Sequence, residues 1–244
     1  MGNLIYTELI KMKRSKMFLI SLLGALVSPV LTFFMLIGYN NQNPDTILSF
    51  KSFFSQTHLF IVFIIGNMLF ALITTYIFNR EFEEDTLKNL LTIPVGRIKL
   101  IISKLVVLFG WIQIILIFAF ISVFILGSIA GFEGINMSMI VNYIQKYIFT
   151  GFLLYLLIPS IILITILFKN YVPPLAFSIF VTMGVVIFGQ SKYLAFYPWG
   201  IPVLMTVDGQ SIVYPIIYSW LIIGGLFVIS LLINFIHFKN KDLN

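Results

Sequence analysis

The chain contains no cysteine, and its 244 residues hold only 9 acidic side chains and 2 histidines. Without cysteine there is no disulfide framework, no thiolate metal site and no thiol nucleophile. With His58 and His237 as its only imidazoles, the chain has little from which to build a histidine ligand set or a catalytic base. Charged residues make up 10% of the sequence, against about 25% in an ordinary soluble domain, while apolar residues reach 60% and mean hydropathy is +1.06. A water-soluble globule needs a polar face on most of its helices, and this composition cannot supply one. The sequence is that of an integral membrane protein.

What is present in quantity is long apolar sequence. A hydrocarbon core of about 30 Å requires roughly 20 residues of helix to cross it. Six runs of that order carry no Asp, Glu, Lys or Arg: about Met17 to Gly38, His58 to Phe78, Leu105 to Gly127, Tyr147 to Phe168, Tyr171 to Gln190 and Tyr214 to Phe238. The expected fold is an all-α membrane protein with six transmembrane helices, forming a single transmembrane domain over residues 1–244. The first run exceeds a typical signal-peptide core and lacks a small-x-small cleavage site after it, so it is read as a retained span.

Loop charges orient the helices, because Lys and Arg concentrate on the cytoplasmic side. With the N-terminus inside, the inner segments hold twelve basic residues: Lys11, Lys13, Arg14, Lys16, Arg80, Lys88, Arg97, Lys99, Lys104, Lys169, Lys239 and Lys241. The outer segments hold three, Lys51, Lys146 and Lys192. Both termini are therefore expected in the cytoplasm. The net charge of +6 follows from this topology, and a nucleic-acid partner is not needed to explain it.

The connecting segments differ in character. MGNLIYTELIKMKRSKM sets Leu4, Ile5, Leu9 and Met12 at near-helical spacing opposite Lys11, Lys13, Arg14 and Lys16, as in an amphipathic helix lying among anionic head groups at the inner interface. Tyr39 to Thr57, with the turn-rich string YNNQNPD, is expected to be irregular. Ser128 to Lys146 carries GFEG and then the amphipathic stretch INMSMIVNYIQK. Lys169 and Asn170 leave room only for a tight hairpin, with Pro173 and Pro174 opening the next helix. SKYLAFYPWGIPVLMTVDGQS is too apolar for a plain loop and too broken by Pro198, Gly200 and Pro202 for a span. It is expected to form a re-entrant or interfacial outer segment, with Tyr193, Tyr197 and Trp199 at head-group depth.

The charged insert NREFEEDTLKNLLTIPVGR, between the second and third runs, is the exception to the apolar pattern, since four of the 9 acidic residues fall at Glu81, Glu83, Glu84 and Asp85. Leu87, Leu90 and Leu91 recur at helical spacing, Pro94 closes the pattern, and the acids occupy the first turn, where the helix dipole favours them. Glu84 reaches Lys88 at i+4. About 11 residues give a rod of roughly 16 Å. From Arg97 the sequence runs through Lys99, Ser103 and Lys104 straight into the third span, so a force on the rod would reach a membrane helix. On these residues alone, an interfacial elbow remains the alternative.

The string EFEEDTLKNLLTIPVGRIKLIISK resembles the first cytoplasmic loop of six-span permease subunits of ABC exporters, matching at Glu84, Thr86, Leu87, Leu90, Leu91, Pro94, Arg97 and Lys104. Asp85 stands where the wider class usually has Gly, which resembles the bacitracin and lantibiotic-immunity branch rather than the polysaccharide exporters. The resemblance implies that Glu83 to Leu91, with Pro94 and Arg97, form a coupling helix docked in a cytoplasmic ABC ATPase. It implies a second permease copy or homologue as a further partner. It also implies a transport subunit with no catalytic residues, in which ATP and magnesium belong to the ATPase, and this sequence has no GxxxxGK[ST] loop of its own.

Two other classes fit less well. An intramembrane glutamate protease would use Glu83 and Glu84, but these lie in an inner loop, Lys88 stands where Arg is expected, and His58 and His237 fall at opposite membrane faces. An ion-driven transporter needs intramembrane charge or broken half-helices, and the six runs hold no charge. Asn67, Gln113, Ser230 and Asn234 are read as helix-to-helix hydrogen-bonding groups. Uncharged walls suit an amphipathic or lipid-associated cargo better than a small ion, although export of an ion or a lipid-linked substrate by the same permease class remains open. The sequence singles out no substrate-binding residue, and no metal site.

The charge split yields a test of topology, since a chain without cysteine accepts single reporters. With Asn89→Cys and Asn136→Cys tested separately in intact cells, an impermeant thiol reagent is expected to label position 136 alone. Strong labelling at 89 reverses the orientation.

Overall fold

The computed structural model describes residues 1–43, 47–83 and 96–240. Every regular element among them is helical, and the β pairing among these residues is an isolated bridge between Ser49 and Glu133. Helix α1 (Gly2–Lys13) turns at Ser15 into α2 (Lys16–Gln42). Then α3 (Phe50–Phe60), a π-helical turn (Ile61–Ile65) and α4 (Gly66–Glu83) follow without a break as one rod. After the insert come α5 (Arg97–Ile129), α6 (Met137–Phe168) and α7 (Val172–Phe188). Two 3-10 turns, Lys192–Phe196 and Pro198–Gly200, lead into the short α8 (Ile201–Thr206), and α9 (Ile216–Asn240) completes the series.

Five of these helices are long and apolar enough to cross a bilayer: Lys16–Gln42, Phe50–Arg80, Ile98–Ile129, Met137–Phe168 and Ile216–His237. The run expected at Tyr171 to Gln190 folds as the 17-residue α7, about 26 Å of helix, a little short of a hydrocarbon core of about 30 Å. Its start follows the expected hairpin. Lys169 takes a left-handed conformation at φ 49°, the Asn170 Oδ1 accepts from the Val172 N–H at 3.0 Å, and Pro173 and Pro174 sit in the first turn.

The connections at the end away from α1 are more ordered than their composition suggests. The irregular loop expected over Tyr39 to Thr57 is helical at its start, where α2 continues to Gln42, and again from Phe50 onward, because Phe50, Phe53, Phe54 and Thr57 form a buried i, i+3, i+4, i+7 stripe and the Ser49 Oγ accepts from the Ser52 N–H at 3.2 Å as an N-cap. The Phe50 N–H also donates to the Glu133 carbonyl at 3.0 Å, tying this end to the loop before α6. INMSMIVNYIQK supplies the N-cap and first turns of α6, the Asn136 Oδ1 lying 2.7 Å from the Met139 N–H.

At the bundle's centre lies α6, which packs against α4, α5, α7 and α9. Its buried face runs Tyr143, Tyr147, Thr150, Leu154, Leu157, Ile158, Ile161 and Thr165, the periodicity of a helix covered on several sides. At the end away from α1, Phe54 stacks on Tyr143 at 5.2 Å and on Phe120 at 4.8 Å, and Phe53 lies 5.0 Å from Phe132. This aromatic knot fixes the upper part of the α3–α4 rod to α5 and α6.

The segment of 3-10 turns after α7 is seated on that helix by Tyr197, whose hydroxyl donates to the Val181 carbonyl at 2.7 Å. Its ring crosses Gly184 so closely that any Cβ there would overlap the phenol. Gly184→Ala is therefore expected to displace Tyr197 and lower the melting temperature of the detergent-solubilised protein, at a cost of about 1–3 kcal/mol. Tyr197→Phe, which loses only the hydrogen bond, is expected to cost about 1 kcal/mol. A Gly184→Ala protein that melts like wild type shows that this contact does not seat the segment.

Candidate functional site

The face that carries α1 is where the sequence placed its coupling element. Glu83 ends α4 and Arg97 opens α5, while Glu84, Asp85, Thr86, Leu87, Leu90, Leu91 and Pro94 lie outside the described residues. What the structure describes is the mounting of that insert. From Arg97 to Ile129 α5 is one uninterrupted helix, so the insert leads directly into a rigid membrane element, as the run through Lys99, Ser103 and Lys104 predicted.

The mounting contains a buried charge that sequence reading missed. Glu8 on α1 is 8% exposed and Lys104 on α5 is 2% exposed. The Lys104 Nζ donates to the Glu8 Oε2 at 3.2 Å and to the Ile77 carbonyl of α4 at 2.9 Å, and it lies 5.5 Å from the Phe78 ring centroid. Lys11 Nζ donates to the other oxygen, Oε1, at 3.0 Å. Arg80 on α4 reaches the Lys11 carbonyl at 3.5 Å. One ammonium thus joins three helices, and two of them are the stems of the insert.

Burial by itself pushes the Glu8 carboxyl up, but the charges and hydrogen bonds of Lys104 and Lys11 outweigh it and hold the group below the usual carboxylate value. A carboxyl held low contributes its stabilisation above the ordinary carboxylate pKa and loses it only as acid carries the pH down through the lowered value. The Glu8 carboxyl is ionised at neutral pH.

Glu8 also corrects the reading of α1. Leu4, Ile5 and Met12 face the bundle with Glu8, while Leu9 points away from it beside Tyr6, which is 67% exposed. Lys13, Arg14 and Lys16 are exposed at the same end.

On the opposite face, the three aromatic residues of the outer segment separate. Tyr193 is 52% exposed, stacks on Tyr214 at 6.3 Å and has the Lys192 Nζ 5.1 Å from its ring. Tyr197 is half-buried on α7. Trp199 is buried, its ring set edge-on to Phe177 at 5.3 Å, because the 3-10 turn at Pro198–Gly200 points it into the bundle. The surface aromatics here include Phe196 and Tyr218, with Phe196 4.8 Å from Tyr214 and 6.2 Å from Tyr218. These sit on separate segments, so no local pattern in the sequence could group them. Lys146 on α6 pairs with Asp208 after α8 at 2.5 Å.

The polar groups expected to join helices do so unevenly. Asn234 on α9 donates to the Pro159 carbonyl of α6 at 2.8 Å. Among the described residues the Gln113 side-chain amide has no hydrogen-bond partner and rests on Gly151, and the Asn67 Nδ2 has none either. His58 Nε2 lies 2.7 Å from the Thr150 Oγ1, with its ring 5.2 Å from Tyr147. Among the described residues, no group of three His, Asp or Glu is placed to hold a metal.

Comparison with known proteins places this geometry in a family. Residues 4–185 match the ABC-2 family transporter protein family, a stretch that includes most of α1, the insert and most of α7. The chain is 38% identical over 201 residues to the bacitracin transport permease protein BCRB of Bacillus licheniformis, covering 82% of this chain and 97% of that protein. The chain belongs to the ABC-2 family of transporter proteins, as a membrane protein that crosses the bilayer several times.

Proposed function

We propose that the chain is the membrane subunit of an ATP-driven exporter that clears a membrane-active peptide antibiotic of the bacitracin or lantibiotic type. The observation that carries this reading is the 38% identity to a bacitracin transport permease, which extends over 97% of that protein. Members of this family work with an ABC ATPase, and the insert between α4 and α5 is the element suited to dock in one. In this reading Glu83, Glu84, Asp85, Thr86, Leu87, Leu90, Leu91, Pro94 and Arg97 form the docking helix, and ATP and magnesium stay on the partner. A second permease copy completes the complex. The face carrying α1 is cytoplasmic, in keeping with the loop charges, and α7, extended by the 3-10 turns and α8, serves as the remaining crossing.

The chemistry of the walls supports an amphipathic cargo. Lys104 is a charge buried among the membrane helices, and it is already paired at the end nearest α1, while the exposed surface of the spans is aliphatic and aromatic. A peptide already partitioned into the outer leaflet needs no desolvated ionic path, whereas a small ion does.

Expression with the partner ATPase in a sensitive bacterium is expected to raise the inhibitory concentration of bacitracin or a lantibiotic several-fold and leave that of small hydrophilic drugs unchanged. Leu87→Asp with Leu90→Asp is expected to abolish the gain and the copurification of the ATPase while the spans still insert. If peptide tolerance stays flat and ATP-dependent sodium efflux rises, the cargo is an ion. If the double variant copurifies and protects normally, the insert is an interfacial elbow and the docking surface lies elsewhere.

A further inference from the structure

We infer that Glu8 and Lys104 form a latch through which α1 sets the spacing of the two stems of the insert, which makes them positioning residues for energy transfer. The role in transfer rests on the reading of the insert as the ATPase-docking element; the latch itself stands on the geometry alone. Four observations lead to it.

First, the pair is costly and packing does not require it. Two charges that are 8% and 2% exposed could be replaced by apolar side chains of similar volume without loss of bundle stability, as is common for buried ion pairs. Second, the ammonium is shared. Lys104 belongs to α5 and bonds both the Glu8 carboxylate of α1 and the Ile77 carbonyl of α4, so shifting any of the three helices strains a charge-assisted contact. Third, the latch lies close to the insert. Lys104 is two turns from the start of α5 and Ile77 less than two from the end of α4, about 10 Å along each axis. Fourth, α1 has its own hold on the membrane surface. Tyr6 and Leu9 face outward, with Lys13, Arg14 and Lys16 exposed beside them, which is the chemistry of a helix resting on an anionic leaflet.

Together these give the stems a fulcrum in the plane of the membrane. With the latch closed, a push on the insert turns α4 and α5 as one body. With it open, the same push is taken up by sliding between them, and ATP is hydrolysed without moving the spans.

Two arms test this, one of which needs no cargo. Nitroxide labels at Tyr6→Cys and Ile98→Cys, both exposed positions in a chain without native cysteine, report the docking of α1 on α5 by pulsed electron spectroscopy in vesicles of phosphatidylcholine and phosphatidylglycerol. The parent is expected to give one narrow distance. Glu8→Gln and Lys104→Gln are expected to broaden it, and the reversal Glu8→Lys with Lys104→Glu to narrow it again. An unchanged distance in both single variants overturns the latch, whether or not the chain proves to be a peptide exporter.

The second arm measures coupling in the complex with the ATPase. Glu8→Gln is expected to lower antibiotic tolerance several-fold at equal membrane abundance and equal ATPase copurification, with hydrolysis continuing, and the double reversal to restore tolerance. Should the single variants fail to accumulate, Glu8→Leu with Lys104→Met removes the pair without stranding a charge. That variant is expected to assemble and still fail to protect. Full protection by it, or a single variant whose loss of tolerance only tracks its loss of abundance, makes the pair a structural plug and overturns the positioning role.

Discussion

Hydrocarbon offers a peptide group no hydrogen-bond partner, and each one left unpaired there costs several kcal/mol. That constraint explains why each regular element among the described residues is a helix, and why irregular backbone appears only between helix ends. It also explains how the breaks are closed. Ser49 and Asn136 cap the starts of α3 and α6, and Lys169 turns left-handed to end α6. Even the isolated bridge at Ser49 and Glu133 serves this end, since it pairs backbone groups that two meeting loops would otherwise leave to solvent.

Once the backbone is satisfied, side chains decide how the helices meet. Lipid provides no hydrophobic drive between them, so shape and a few polar contacts carry the association. The aromatic knot around Phe54 is one such fit and the Asn234 bond to Pro159 another. The Glu8–Lys104 pair belongs to a different scale. Removing one member of a buried ion pair typically costs about 3–5 kcal/mol, more than most single packing contacts, because the survivor is left charged and unsolvated.

The sequence made the membrane character, the positions of the long helices and the continuity of α5 readable, because run length and composition are local properties. It also made the family readable, through the spacing of Glu84, Thr86, Leu87, Pro94 and Arg97. The onset of α3 was not readable, because the stripe Phe50, Phe53, Phe54 gains its meaning only from Phe120, Phe132 and Tyr143 far along the chain. The Glu8–Lys104 contact spans 96 positions, and nothing in TELIKM distinguishes a carboxylate facing water from one facing a lysine. The burial of Trp199 was not readable for a related reason: the direction of a 3-10 turn decides which way the ring points.

The π-helical turn at Ile61–Ile65 shows how register is kept along the longest rod. The buried stripe descends Phe50, Phe54, Thr57 and Ile61 at α-helical steps, then resumes at Gly66, five positions on, before Leu69, Ile73 and Ile77. The Gly66 N–H returns to the Ile61 carbonyl across this widened turn, so the extra residue is absorbed without an orphaned donor. In an unbroken α-helix one added residue rotates everything beyond it by about 100°. The turn cancels that rotation, and it lets the aromatic knot at one end and the insert's stem at the other share a single face. Chain length here is a phase setting: with one residue fewer in Ile61–Ile65 the stripe would close to a four-residue step, and an ordinary α-turn could replace the wide one with both halves still on the same face.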